Sequence, residues 1–195
     1  MAIDLQSQFP QQFSLGNGTS IELRALGAQD RDAILNFAQQ LPEEDLLFLS
    51  IDLTEPAVVD GWLKASASGQ SLTLCAYSND ALVGYATVHR EAAPWMQRVG
   101  EIRVNVAPQL RSAGLGRVLI SKIFDIAQSL GLKKLLARMT TEQSGAQAVF
   151  RKLGFTAEAL LADFVEDRKG QPHDLVMMTY DVDGLSDQAG APLKL

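Results

Sequence analysis

The run Val104-Asn105-Val106-Ala107-Pro108-Gln109-Leu110-Arg111-Ser112-Ala113-Gly114-Leu115-Gly116-Arg117 passes from an alternating strand pattern through small residues into a helix start. The first N–H groups of a helix have no intrahelical partner and carry the positive end of its dipole, so this junction suits a phosphate or diphosphate. Glycines at 114 and 116 allow close approach of a ligand and permit unusual φ angles. Two glycines alone fit a tight strand-to-helix turn equally well, and the Arg111 and Arg117 side chains fit either added positive charge or plain solvation. Other reactive residues are sparse. Cys75 is the only cysteine and lies in an apolar stretch with Leu72, Leu74 and Ala76, so it reads as a small buried hydrophobe and leaves no internal disulfide or cysteine zinc site. No His, Asp and Glu cluster has ligand spacing, so metal-independent action is expected. His173 precedes Asp174 and is expected to be a hydrogen-bonded structural histidine, whereas His89 is expected to be exposed near a strand end.

These residues need elements to hold them. A polar arm over residues 1–18 leads into a strand at 20–26. From 28 to 48, Ile34, Leu35, Phe37, Ala38 and Leu41 recur at helical spacing and Pro42 breaks the pattern, predicting two helices or a broken one. Residues 56–67 predict a helix stopped near Gly69, and 71–77 with 82–90 predict a hairpin around Ser78-Asn79-Asp80. The alternation Glu101-Ile102-Arg103-Val104-Asn105-Val106 predicts a strand with one buried face. Leu115, Leu119, Ile123, Ile126 and Leu130 then form a helical stripe ended by Gly131. A short strand at 135–139 precedes a helix marked by Ala146, Val149, Phe150 and Leu153, with Ser144 and Gln147 spaced as a capping box. Strands at 155–165 and 174–182 close the pattern as a hairpin through a polar turn. The chain from Asp183 onward is expected to be mobile. The organisation is therefore an arm (1–18), one domain (19–183) and a flexible tail (184–195), of α/β class with a mixed sheet and helices on both faces.

Composition narrows the partners. The chain has 195 residues, 47% apolar and 21% charged, which suits one folded domain. A formal charge of -6 repels a polyanion such as DNA and draws in a cationic amine, so no nucleic-acid partner is expected. No apolar run of about 18 residues occurs, and residues 1–13 lack a basic region followed by an apolar block, so no membrane association and a cytoplasmic location are expected.

The segment Val104-x-Val106-x-Pro108-x-x-Arg111-x-x-Gly114-x-Gly116 resembles the acetyl-CoA signature of the GNAT family, Arg or Gln-x-x-Gly-x-Gly or Ala. Ala146, Val149, Phe150, Lys152, Leu153, Gly154 and Phe155 are similar to that family's next motif, Asn-x-x-Ala-x-x-Leu-Tyr-x-x-x-Gly-Phe. A dinucleotide-binding fold competes poorly, because its glycine loop would follow the first strand and this one follows the fourth predicted strand. The resemblance implies the GNAT acyl-CoA N-acyltransferase fold, with a mostly antiparallel central sheet. It implies an enzyme that moves acetyl from acetyl-CoA directly to a small-molecule or protein amine, with no metal. Val104 and Val106 would offer backbone groups to the pantetheine arm. Backbone amides from Arg111 through Ser112, Ala113, Gly114, Leu115 and Gly116 to Arg117 would hold the diphosphate.

Glu101 resembles the strand glutamate used as a general base, and a solvent-facing strand-end charge is the competing reading. Gln143 stands where the family often has a cofactor-contacting Asn. Phe150 stands where it usually has a tyrosine, so it packs beside the thioester and has no proton to give. Ser112 replaces a common glycine. The acceptor groove would lie between residues 28–50 and the terminal hairpin, and homodimers are common in the family. A non-catalytic acyl-CoA sensor that keeps the loop is the alternative from another class.

Overall fold

A strand of four residues, β1 (Gln11–Ser14), opens a sheet that no local pattern in the polar arm announced; it pairs antiparallel with β2 (Ser20–Ala25). In this computed structural model, residues 5, 7–42, 45, 46, 49, 51–91 and 93–182 are described. The expected tail from residue 183 and part of the segment following Pro42 lie outside the described residues. The helices are α1 (Arg31–Gln39), α2 (Pro56–Ala67), α3 (Leu115–Ser129) and α4 (Ser144–Lys152). The remaining strands are β3 (Ser71–Ser78), β4 (Ala81–Arg90), β5 (Val99–Val106), β6 (Lys134–Thr140), β7 (Thr156–Glu166) and β8 (Pro172–Asp181). Their order across the sheet is β1-β2-β3-β4-β5-β6-β8-β7, and the β5–β6 pair alone among these neighbours is parallel.

The turn between β3 and β4 needs two consecutive positive φ angles. Asn79 (φ 48) and Asp80 (φ 62) supply them, which is the turn geometry whose twist suits a hairpin. Adjacent residues on β4 show how the layers stack. Gly84 faces α3, since a Cβ there would come within 3.3 Å of Leu115 Cδ2 and 2.8 Å of the Asn105 carbonyl. Its neighbour Tyr85 points to the other face, where its ring meets Phe37 of α1 and Trp62 of α2 at centroid distances of 6.0 and 5.0 Å. Successive side chains alternate across a sheet, so α3 covers one face and α1 with α2 the other.

Leu115, Leu119, Ile120 and Ile123 of α3 are buried against β3, β4 and β5, and removing that apolar surface from water is what holds the helix start at the end of β5. Cys75 is fully buried, as expected, and burial pushes its thiol pKa up. Ser144 and Gln147 do not form a capping box. Gln143 is the N-cap of α4, and the buried Gln147 amide instead donates to the carbonyls of Thr140 (3.0 Å) and Thr141 (3.2 Å), tying α4 to the end of β6. A spacing match cannot tell a cap from a tertiary staple when the backbone ahead of the helix turns sharply.

Candidate active site

Pairing between β5 and β6 stops early. It runs from Val99 with Lys134 to Glu101 with Leu136, after which the two strands diverge. Each strand continues for several residues, β5 to Val106 and β6 to Thr140, leaving a wedge between them. Backbone direction in that wedge follows from the other edge of β5. Ala107 N–H bonds to the Val83 carbonyl (2.9 Å), so Gly84 and Val106, which lie opposite each other, turn their own N–H and C=O groups away from one another. With a period of two, the backbone groups of Ile102, Val104 and Val106 face the wedge. Those of Arg103 and Asn105 face β4.

Beyond Val106 the chain makes a single 3₁₀ turn at Pro108–Leu110 and enters α3. Ser112 (φ 66) and the N-cap Gly114 (φ 97) adopt left-handed backbone, and no side chain caps the helix. The first amides of α3 thus have neither an intrahelical partner nor a side-chain cap. A Cβ at Gly114 meets nothing within 4 Å, and one at Gly116 only Val106 Cγ2 at 3.8 Å, so the approach to both is open. Arg117 is exposed. The Arg111 side chain is not free. It donates through Nε to the Val106 carbonyl (3.3 Å) and through Nη2 to Asp45, which places its charge between the loop and the segment after α1.

A cavity of about 350 Å³ occupies the wedge and the face carrying α1 and α2. Of the residues singled out from the sequence, Glu101, Val104, Gln143 and Phe150 line it, whereas Val106, at the end of β5, and residues 111–117 after it do not. Gln143 turns its Oε1 back to accept the Thr140 N–H (3.0 Å), and Phe150 is buried with its edge toward Phe155 at 4.9 Å. Phe150 carries no ionisable proton. Glu101, with 15% of its side chain exposed, is held on both oxygens: Oε1 accepts from Arg103 Nε (3.1 Å) and Nη2 (2.8 Å), and Oε2 from Arg138 Nη2. It is not the solvent-facing strand-end charge of the competing reading.

Arg103, Arg138, Asn105 and Asp45 also line the cavity and were not singled out. The alternation on β5 was a signal for two of them, because it puts Glu101, Arg103 and Asn105 on one face. Arg138 gave none, since its place beside Glu101 depends on β6 lying next to β5. The wall opposite includes Leu49, Ile51 and, from β7, Phe164 and Glu166, which brings the segment after α1 and the terminal hairpin together around one space. A two-residue bulge between Leu161 and Val165, with Asp163 at φ 48, interrupts β7 at this wall.

The histidines lie elsewhere. His89 stands opposite Glu101 in the β4–β5 ladder and is half-buried, not exposed as expected; burial, helped by Arg103, keeps its pKa low, so it is neutral near pH 7. His173 bridges Glu142 (3.1 Å) and Asp167 (3.2 Å), outside the cavity lining. Among the described residues no cluster of three or more His, Cys, Asp or Glu side chains could hold a metal ion, and no helix is long and apolar enough to cross a membrane.

The chain resembles known proteins in sequence and in fold. A stretch of 74 residues is 35% identical to the streptothricin acetyltransferase of Streptomyces lavendulae, covering 38% of this chain and 38% of that protein. The fold matches yncA of Salmonella typhimurium, solved with its cofactor acetyl-CoA (TM-score 0.72, 21% identity, 90% of this chain and 99% of that one). It also matches the GNAT domain of S. lividans PAT (TM-score 0.75, 16% identity, 91% and 99%). The model of the acetyltransferase (GNAT) family matches residues 36–155, which hold strands β3 to β6 together with the loop and helix that follow β5, and the chain belongs to that family.

Proposed function

We propose that the chain transfers acetyl from acetyl-CoA to a primary amine while both substrates are bound, without a covalent enzyme intermediate. The observation that carries this reading is the wedge between β5 and β6 running into the uncapped start of α3. Val104 presents backbone groups that no neighbouring strand takes along the wedge, Val106 adds its N–H while its carbonyl accepts from Arg111, and the open amides at 114–117 continue the same path. Acetyl-CoA supplies an activated thioester whose sulfur leaves as a thiolate, a good leaving group because thiols titrate near 8.5. The amine nitrogen bonds to the acetyl carbon as the C–S bond breaks.

The chain's own residues handle the proton. A lysine-like amine has a pKa near 10.4, so presenting it neutral at pH 7 costs about 4 to 5 kcal/mol. Glu101, at the closed end of the wedge, takes the proton directly or through water, and among the described residues the lining holds no Cys, Ser, Lys or His side chain to carry the acetyl group. Phe150 packs beside the reacting group, and the thiolate takes its proton from solvent.

Gly116 offers the cleanest test. Gly114 needs its positive φ, so a side chain there strains the fold, but Gly116 has open space and no such angle. A carboxylate in the first helical turn favours α3 through the dipole while repelling a diphosphate. Gly116→Asp should keep the melting temperature and weaken acetyl-CoA binding, read by calorimetry, at least about tenfold, equivalent to 1.4 kcal/mol. An unchanged affinity in the folded variant would remove the basis of the assignment.

A further inference from the structure

The charges at the closed end of the wedge do not cancel. One carboxylate, Glu101, holds two guanidinium groups, those of Arg103 and Arg138, so the cluster keeps one positive charge. Asp45, also in the lining, is taken by Arg111, and Glu166 stands exposed in the wall opposite, on β7. An acceptor that brought only an ammonium group would add to the surplus. One that brought a carboxylate would neutralise it.

The donor geometry agrees. Among the described residues Arg138 uses only Nη2, on Glu101, which leaves the rest of its planar fork for a second carboxylate. Asn105 gives its Nδ2 to the Tyr85 hydroxyl (2.6 Å), so its Oδ1 is the atom available to accept an N–H from an amine. Leu49, Ile51 and Phe164 add apolar wall, and about 350 Å³ is room for a small acceptor beside an acyl group, not for a folded polypeptide.

We propose that the acceptor is an amine of amino-acid size bearing a carboxylate, which Arg138 and Arg103 bind, displacing Glu101 from Arg138 and turning it toward the amine. The proposal rests on the acetyltransferase reading. In it the amine proton passes to Glu101, the nitrogen takes the acetyl carbon, and the thiolate departs. The acceptor's own carboxylate thereby releases the base, so a molecule lacking it meets a glutamate still locked between two arginines.

The test compares matched acceptors with the full chain and acetyl-CoA, following thiol release: phenylalanine with phenethylamine, leucine with isoamylamine, tryptophan with tryptamine, lysine with cadaverine. The amino acid of at least one pair should show a kcat/KM at least tenfold above that of its decarboxylated partner. Arg138→Gln should shrink that ratio toward one, mainly by raising KM for the amino acid, with Arg138→Lys intermediate. Equal or better turnover of the decarboxylated partners would overturn the proposal, and this comparison needs only the wild-type protein. If calorimetry shows acetyl-CoA bound but no member of any pair releases thiol, the acceptor class is wrong while the cofactor reading stands. If acetyl-CoA itself does not bind, the failure lies in the cofactor reading.

Discussion

Glu101 and His173 are both titratable groups held between partners of opposite charge, yet they do different work. Glu101 faces a cavity, and its two arginines decide when it is available. His173 closes a structural clasp: Nδ1 faces Glu142 and Nε2 faces Asp167, and two acceptors on one ring call for the doubly protonated imidazolium. The hydrogen bond to Glu142, then that to Asp167, raises the histidine pKa, and the same contact brings Glu142 down to about 2. A histidine whose folded pKa is raised contributes stability in full below its unfolded value near 6.5 and loses it as pH climbs through the higher folded value. Glu142 behaves oppositely, contributing above its ordinary 4.5 and losing that contribution as pH falls toward 2. The clasp is therefore strongest between about pH 4.5 and 6.5. Thermal melts of wild type and His173→Gln from pH 4 to 9 should differ most in that window and converge in the alkaline range; a difference that grows with rising pH would contradict the assignment.

Among the elements, α4 shows most clearly how a short helix is positioned. It has nine residues, too few to be stable alone, and its N-cap residue makes no side-chain capping bond to it. Gln147 compensates by donating to two carbonyls at the end of β6, while its Oε1 accepts from Arg151 (3.3 Å). Gln147→Ala removes both bonds, though the Thr140 carbonyl keeps the Gln143 N–H (3.2 Å), and should cost about 0.5 to 1.5 kcal/mol in chemical denaturation. Because Gln143, Ala146 and Phe150 of this region line the cavity, the same variant should also weaken acetyl-CoA binding. A loss of stability below about 0.5 kcal/mol would mean that the staple is replaced by water. Helix α3 is the contrasting case. Its stripe was plain from periodicity, and in the fold Leu115, Leu119, Ile123 and Ile126 are buried while Leu130, at the end of the helix, is half-buried.

At the scale of the whole molecule, the segment from Asp45 to Asp52 is tied at both ends. Asp45 meets Arg111 of the loop before α3, and Asp52 meets Arg168 of the β7–β8 turn at 2.7 Å. Two distant parts of the chain thus hold one wall of the cavity. Both side chains of the Asp52–Arg168 pair are 36% exposed, and such pairs contribute only about 0 to 1 kcal/mol. Arg168→Gln should therefore barely move the melting temperature. It should speed amide exchange at Thr54, whose N–H bonds to Asp52 (3.0 Å), by about two- to fivefold, the factor that 0.5 to 1 kcal/mol allows. High salt should do the same to wild type, and no change in either experiment would show that the segment is held by its apolar contacts alone.

The sequence by itself determined the local features: the alternation that put Glu101, Arg103 and Asn105 on one face, the glycine loop, the α3 stripe and the two hairpins. These depend on spacing within a few residues, where strand and helix periods act. Strand β1 escaped notice because four half-exposed residues carry no periodic signal, and its pairing with β2 supplies the order instead. Only the tertiary structure decided that β6 lies parallel to β5 and parts from it after Glu101, that Arg138 arrives beside that carboxylate, and that Arg111 reaches Asp45 rather than standing free. Those meetings join residues far apart in the chain, and they are selected by burial of the whole sheet, a quantity that no short window of sequence contains.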